Sequence, residues 1–252
     1  MSTDSHRSDE ALQLPAAYSE FQNLLLDGPD VATFMQQIVN LASAIVSPSA
    51  QCGVTLRRDR EISTIANSGD LAVRADEIQY GRGQGPCLEA LHTGVVVSVP
   101  DLATDERWPD YRSHALTQGV RSSLSLPLTV QGATLGALNI YTSNQHDFTA
   151  GEIGHATAFA KQAATGLAIV LRHADQVKLE DQLREALATR AVIDQALGIV
   201  MGQRGCGAAE AFSVLREASQ HRNRKLHDIA AELIETITGE PPQRPRPFIQ
   251  RG

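Results

Sequence analysis

The sequence predicts an α+β domain followed by an all-α segment. Two changes of pattern carry this reading. Up to about residue 148, short β-type stretches alternate with helical periods; from Thr149 to about Thr238 the pattern is helical throughout. The length of 252 residues accommodates two domains of ordinary size. A composition of 42% hydrophobic and 20% charged residues is that of a globular chain, far from the low-hydrophobicity signature of disorder.

In chain order, the start MSTDSHRSDE is polar and partly acidic, with neither the basic nor the apolar region of a secretory signal, and a disordered tip is expected over residues 1–17. Tyr18 to Ile45 carries apolar residues at helical spacing, interrupted at Asp27-Gly28-Pro29-Asp30, and reads as two helices. Strands are expected at Cys52–Arg57, Ile62–Ala66, Val95–Val99, Ser122–Val130 and Leu135–Tyr141. Helices are expected between them at Leu71–Tyr80, Pro86–His92 and Pro109–Gln118. Gln131-Gly132 between two apolar runs is a hairpin signal. Thr149 and Glu152 match a capping box, so a long helix should start there and run past Leu171. Val170, Ala174, Val177, Leu179, Leu183 and Leu187 have coiled-coil-like spacing with one shift, which makes residues 172–186 a linking helix through which two chains pair.

Three shorter helical faces follow. The first ends near Met201. The second uses Ala208, Ala211, Phe212, Leu215 and Ala218, and the third uses Leu226, Ile229, Ala230, Leu233, Ile234 and Ile237. The segment 240–252 holds four prolines, each without an amide donor, and cannot continue a helix.

Charge divides the chain. From Arg184 to Arg251 ten basic residues face eight acidic ones, a balance of +2, so the net charge of -7 leaves -9 for the first 183 residues. That part repels a phosphate backbone, and nucleic acid, if bound, is bound near the C-terminus. Three widely spaced cysteines, Cys52, Cys87 and Cys206, fit a reducing compartment. With no apolar run near the ~20 residues of a membrane span, a cytoplasmic protein is expected.

No catalytic constellation is visible. The glycines from Tyr80 to Pro86 follow no predicted strand and lack the lysine and hydroxyl residue of a phosphate loop, so they read as a turn that positions the next helix. The eight histidines are scattered without metal-ligand spacing, and no metal or cofactor is expected beyond an unidentified small-molecule ligand. Cys87 has no resolving cysteine or neighbouring cation and reads as a small buried residue, and Trp108 before Pro109 as a packing anchor. Phe212, spaced with Ala208 and Leu215, is placed in the core.

Gly83-Gln84-Gly85-Pro86-Cys87-Leu88-Glu89-Ala90, Val97 to Asp101, Trp108-Pro109, Gly119 to Ser122, Leu124 to Leu128 and Leu135 to Tyr141 followed by Phe148 together resemble a GAF domain of the type common in actinobacterial regulators. The resemblance covers residues 18–171. It implies a PAS-like antiparallel sheet with flanking helices and a sensing rather than catalytic role. Tyr80, Cys87, Leu88, Trp108, Tyr111 and Ser123 fall where such domains line a ligand pocket.

Arg190 to Met201, Ala208 to Leu215, and Ala218-Ser219 through Asn223 to Ala230 resemble an ANTAR domain, a three-helix RNA-binding module of transcription antiterminators, here over residues 187–239. Leu197 stands where members commonly carry a lysine, which removes one charge. The resemblance implies RNA contacts by Arg190, Arg216, Ser219, Arg222, Asn223, Arg224 and Lys225, directed at the unstacked loops of hairpins. It implies a homodimer that holds nascent RNA hairpins against a terminator and so acts on RNA polymerase indirectly. The alternative is a ligand-sensing regulator acting through a protein partner.

Overall fold

The structure is a computed structural model and describes residue 21 and residues 28–46, 50–58 and 61–242. The expected disordered tip, all but Phe21 of the first expected helix, and the Pro-rich tail from residue 243 lie outside the described residues. The elements are α1 (Val31–Val46), β1 (Gln51–Arg58), β2 (Glu61–Asn67), α2 (Asp70–Arg82), α3 (Pro86–Thr93), β3 (Val97–Val99), α4 (Pro109–Thr117), β4 (Ser122–Val130), β5 (Ala133–Thr142), α5 (Ala150–Arg204), α6 (Ala208–Arg222) and α7 (Leu226–Thr238). Contacts divide the chain into two units, with the boundary between Ala174 and Asp175.

In the first unit the five strands form an antiparallel sheet in the order β2-β1-β5-β4-β3. β4 and β5 are joined by Gln131 and Gly132, both at positive φ (51° and 80°), the geometry of a two-residue turn whose twist matches its strands. Because side chains alternate across a strand, β5 sends Leu138 and Ile140 to one face and Ala137, Asn139 and Tyr141 to the other. The first face is largely apolar. Leu124, Leu126, Leu128, Val54 and Cys52 join Leu138 and Ile140 there under Phe34, Met35 and Ile38 of α1 and Phe159, Ala163 and Leu167 of α5. The second face closes under α2, α3 and α4, with Leu71, Ala75, Ala90, Trp108, Tyr111 and Ala115 around Tyr141. Burial on both faces is why the expected strand at Leu135–Tyr141 is largely apolar along its length.

The expected strand at Val95–Val99 is shorter. Gly94 closes α3 at φ 69°, Val95 is 62% exposed, and only Val97–Val99 pair with β4, opposite Ser125, Leu124 and Ser123. The capping box at the start of α5 is formed: the Thr149 amide and hydroxyl donate to Glu152 Oε2 at 2.7 and 2.8 Å, and the Glu152 amide donates to Thr149 Oγ1 at 3.2 Å. Such a cap contributes about 1 kcal/mol. α5 is a single helix of 55 residues ending at Arg204, where Gly205 at φ 64° donates to the Met201 carbonyl. Val170, expected on the open seam, belongs instead to the first unit's core, being 5% exposed. From Arg172 to Leu187 the side chains are exposed, among them Val177, Leu179, Leu183 and Leu187.

The second unit packs the C-terminal end of α5 with α6 and α7 around Val192, Ala196, Val200, Ala211, Leu215, Ile229, Ala230 and Ile234. Leu197 packs against this core, an apolar contact that fits leucine better than lysine. Phe212 does not enter it and is 41% exposed, contrary to its expected core position. Ala196, Ala211 and Ala230 are completely buried, so the helices approach through alanines, and that spacing admits no phenyl ring. The buried line of α6 runs through Ala211 and Leu215, one residue away from Phe212 on the helical wheel.

Candidate functional site

The first unit buries an unusual amount of polar chemistry beneath α2. The period of α2 puts Ala72, Ala75, Asp76 and Gln79 on its inner face, so a carboxylate enters the interior together with alanines. Gly53 on β1 makes room for it: a Cβ there would lie 2.8 Å from Asp76 Oδ2. Asp76 Oδ1 accepts from the Tyr141 hydroxyl at 2.5 Å and from Asn139 Nδ2 at 3.0 Å, and Oδ2 accepts from Thr64 Oγ1 at 2.8 Å. Gln79 Nε2 donates to the Tyr141 oxygen at 2.8 Å while its carbonyl accepts the Cys87 amide at 2.7 Å, which ties the start of α3 to α2. Thr55 Oγ1 lies within hydrogen-bond distance of Tyr80 Oη, Cys87 Sγ and Asn139 Nδ2, at 2.8, 3.3 and 3.1 Å. The Tyr111 hydroxyl, Ser125 Oγ and Asn139 Oδ1 are buried beside this network without a partner among the described residues.

Desolvation sets the electrostatics of the cluster. Burial pushes the Asp76 carboxyl up to about 6, against the hydrogen bonds from Tyr141, Thr64 and Asn139 that favour its charge. Burial, and then the nearby Asp76 carboxylate, push the Cys87 thiol up to about 12; burial alone takes Cys52 up to about 11. Both thiols are therefore protonated at neutral pH and make poor nucleophiles. Tyr80, Tyr111 and Tyr141 are raised by burial and by Asp76, and remain neutral donors.

Of the residues expected to line a pocket, Tyr80 and Cys87 meet in this network through Thr55, and Tyr111 contributes an unpartnered hydroxyl to it. Leu88, Trp108 and Ser123 are buried. Trp108 caps α4 with the Arg107 guanidinium 4.3 Å above its ring, the packing anchor expected. The expectation omitted Asp76, Gln79, Asn139, Tyr141, Thr55 and Thr64. Two signals in the sequence mark them: an acid at a core position of α2, and an asparagine inside an otherwise apolar strand, each of which demands a buried partner.

In the second unit, Arg216 and Arg222 lie on α6 and Arg224 and Lys225 in the turn to α7, while Arg190 lies on α5. Asn223 closes α6 in the left-handed region at φ 49°, a conformation asparagine tolerates, and the Ser219 hydroxyl donates to the Arg224 carbonyl at 2.6 Å, bracing that turn. Arg222 and Arg224 share one acceptor: both pair with Glu232 of α7, Arg222 at 2.7 Å. Their hydrogen bonds hold the Glu232 carboxyl below its ordinary range. Arg190 pairs loosely with Asp194 at 3.7 Å. Among the described residues, Arg216 and Lys225 are exposed cations with no ion-pair partner. The expected cluster is therefore present, but two of its cations are partly neutralised, because the α6–α7 turn brings Glu232 beneath them.

Residues 28–168 match the family model of the GAF domain, more than half of the chain. The chain belongs to the GAF domain family. Residues 181–234 match the model of the ANTAR domain, and these are the residues whose helices build the second unit. A GAF sensor domain is thus followed in one chain by a domain of RNA-binding type. Among solved structures, the GAF domain of a phosphoenolpyruvate-protein phosphotransferase from Coxiella burnetii aligns with a TM-score of 0.52 at 17% identity, over 66% of this chain and 98% of that one. The free methionine-R-sulfoxide reductase from Neisseria meningitidis, solved in complex with its substrate, aligns with a TM-score of 0.52 at 17% identity, over 66% of this chain and 93% of that one. At such identity the likeness shows the GAF fold alone. No curated protein matches the chain. Among the described residues of this GAF protein no helix is long and apolar enough to cross a membrane.

Proposed function

We propose that the protein is a signal-responsive, cytoplasmic RNA-binding regulator that acts by transcription antitermination, of the kind found in actinobacteria. Its domains on this reading are a GAF sensor at 18–171, a linking helix at 172–186 and an ANTAR RNA-binding domain at 187–239. The observation that carries the proposal is the match of residues 181–234 to the ANTAR domain, together with the exposed Arg216, Asn223, Arg224 and Lys225 along one helix and its turn. Phosphate contacts fall to the free cations Arg216 and Lys225, with Arg222 and Arg224 held ready on Glu232. Arg190 lies on the first helix of the domain, and the roles of Ser219 and Asn223 are to shape and present the turn.

With a local balance of only +2, one copy has modest attraction for RNA. The exposed Leu179, Leu183 and Leu187 support pairing of two chains into a homodimer that engages tandem hairpins with a raised effective concentration. The sensor acts on this grip only to the extent that its ligand binds one arrangement of the dimer better; a tenfold change in RNA affinity corresponds to about 1.4 kcal/mol of coupling. Antitermination follows if the held hairpin excludes a competing terminator and lets RNA polymerase proceed.

The test is binding of the full chain to structured RNA over a salt series, wild type against Arg216→Ala/Lys225→Ala. Preference for paired hairpins and a shallower salt slope in the variant are expected. If the wild type binds no hairpin RNA at low salt, the proposal fails and a protein partner for the second unit takes its place. Sedimentation of Leu183→Lys/Leu187→Lys as a monomer, where the wild type is a dimer, checks the pairing.

A further inference from the structure

Phe212 is the one aromatic side chain left exposed among the described residues; the others are buried or, for Tyr80, half-buried. It occupies the second turn of α6, and its neighbours on that surface, Ala208, Ala209 and Ser213, are small and exposed, so the ring is open to approach. At about 3.6 residues per turn, Phe212, Arg216, Ser219 and Asn223 fall on one face, spanning about 16 Å along the helix. That face carries an aromatic ring, then a free guanidinium, then an exposed amide at the cap, and next to it the ammonium of Lys225. Apart from the methyl groups of Ala208 and Ala209, its apolar content is the one ring. An apolar protein groove needs a run of such side chains, whereas an unpaired nucleotide needs what is here: a π-face for the base, a cation for the phosphate and an amide for a base edge.

We infer that Phe212 is a stacking platform for one unpaired base of an RNA hairpin loop, with Arg216 one turn away on the adjoining phosphate. The inference rests on the RNA-binding reading and adds to it a residue that discriminates loop from duplex. Stacking contributes no counterion release, so Phe212 governs affinity without altering its salt dependence, while Arg216 governs both.

The experiment uses the full-length protein and a hairpin that the wild type selects from a pool with a randomised loop. Phe212→Leu is expected to weaken binding about tenfold with an unchanged salt slope, and Phe212→Trp to bind as the wild type does. An abasic nucleotide at one loop position is expected to weaken wild-type binding by a similar factor and to add nothing in Phe212→Leu, a closed double-mutant cycle. Thermal unfolding of both variants matching the wild type establishes that the fold is intact; unfolding of Phe212→Leu alone would assign the ring to stability and overturn the inference. Wild-type affinity in Phe212→Leu, additivity at every loop position, or a changed oligomeric state in place of changed affinity would also overturn it while leaving RNA binding in force. Failure of the wild type to select any hairpin removes both readings together.

Discussion

The two units treat polar groups in opposite ways. Beneath α2 the first unit joins a carboxyl, two side-chain amides, two threonines and two tyrosines in one hydrogen-bonded network, whereas the second keeps Arg216, Arg222, Arg224, Lys225 and Asn223 at the surface around an alanine-lined core. The difference is energetic. A buried hydrogen-bonded group is costly to leave unpaired, so the interior network determines whether the first unit folds and how α2 and α3 sit on the sheet. Exposed ion pairs contribute little to stability and remain available to a ligand. A sensing domain built this way responds to whatever perturbs its interior; an RNA-facing one responds to counterions.

The sharpest way to break this contrast is Asp76→Ala, which leaves the Tyr141 hydroxyl, Asn139 Nδ2 and Thr64 hydroxyl without their acceptor. A loss of about 3 kcal/mol or more is expected, read from urea unfolding followed by the fluorescence of Trp108, the single tryptophan. A comparable effect is expected from pH. Burial raises the folded Asp76 carboxyl from 3.8 to about 6, so the folded chain binds this proton more tightly than the unfolded one. The resulting stabilisation is present in full below the unfolded value and is lost as pH climbs through about 6. Relative to Asp76→Asn, the wild type should therefore lose about 2 kcal/mol between pH 4 and pH 7. The comparison with that variant is needed because Glu152 and Asp105, held below their ordinary range, favour the folded state in the opposite direction. A flat difference across that range would mean that Asp76 is solvated in solution.

Smaller effects follow. Tyr141→Phe removes the donor to Asp76 and the acceptor of Gln79 and should cost about 1–2 kcal/mol in the same unfolding measurement. On the surface, Glu232→Gln should leave unfolding unchanged but release Arg222 and Arg224, raising RNA affinity severalfold at low salt and steepening the salt slope by about one to two phosphate contacts. A loss of stability in this variant, with no change in slope, would make the Arg222–Glu232–Arg224 bridge a structural clamp and erase the contrast with the first unit.

By itself the sequence determined what is local. The Gln131-Gly132 hairpin, the Thr149 to Glu152 cap and the helical periods of α6 and α7 depend on residues within a few positions of one another, and backbone sterics and periodicity make them legible. The family resemblances rested on such local patterns, and for the same reason they led to the right sheet and the right three helices. The tertiary structure alone decided the partners. It joined Asp76 to Asn139 and Tyr141 across more than sixty positions, placed Glu232 between Arg222 and Arg224, sank Val170 into the first core and left Phe212 outside the second. Each of these depends on how closely another element approaches. Burial and charge pairing are properties of the gap between two surfaces, and neither surface encodes that gap by itself.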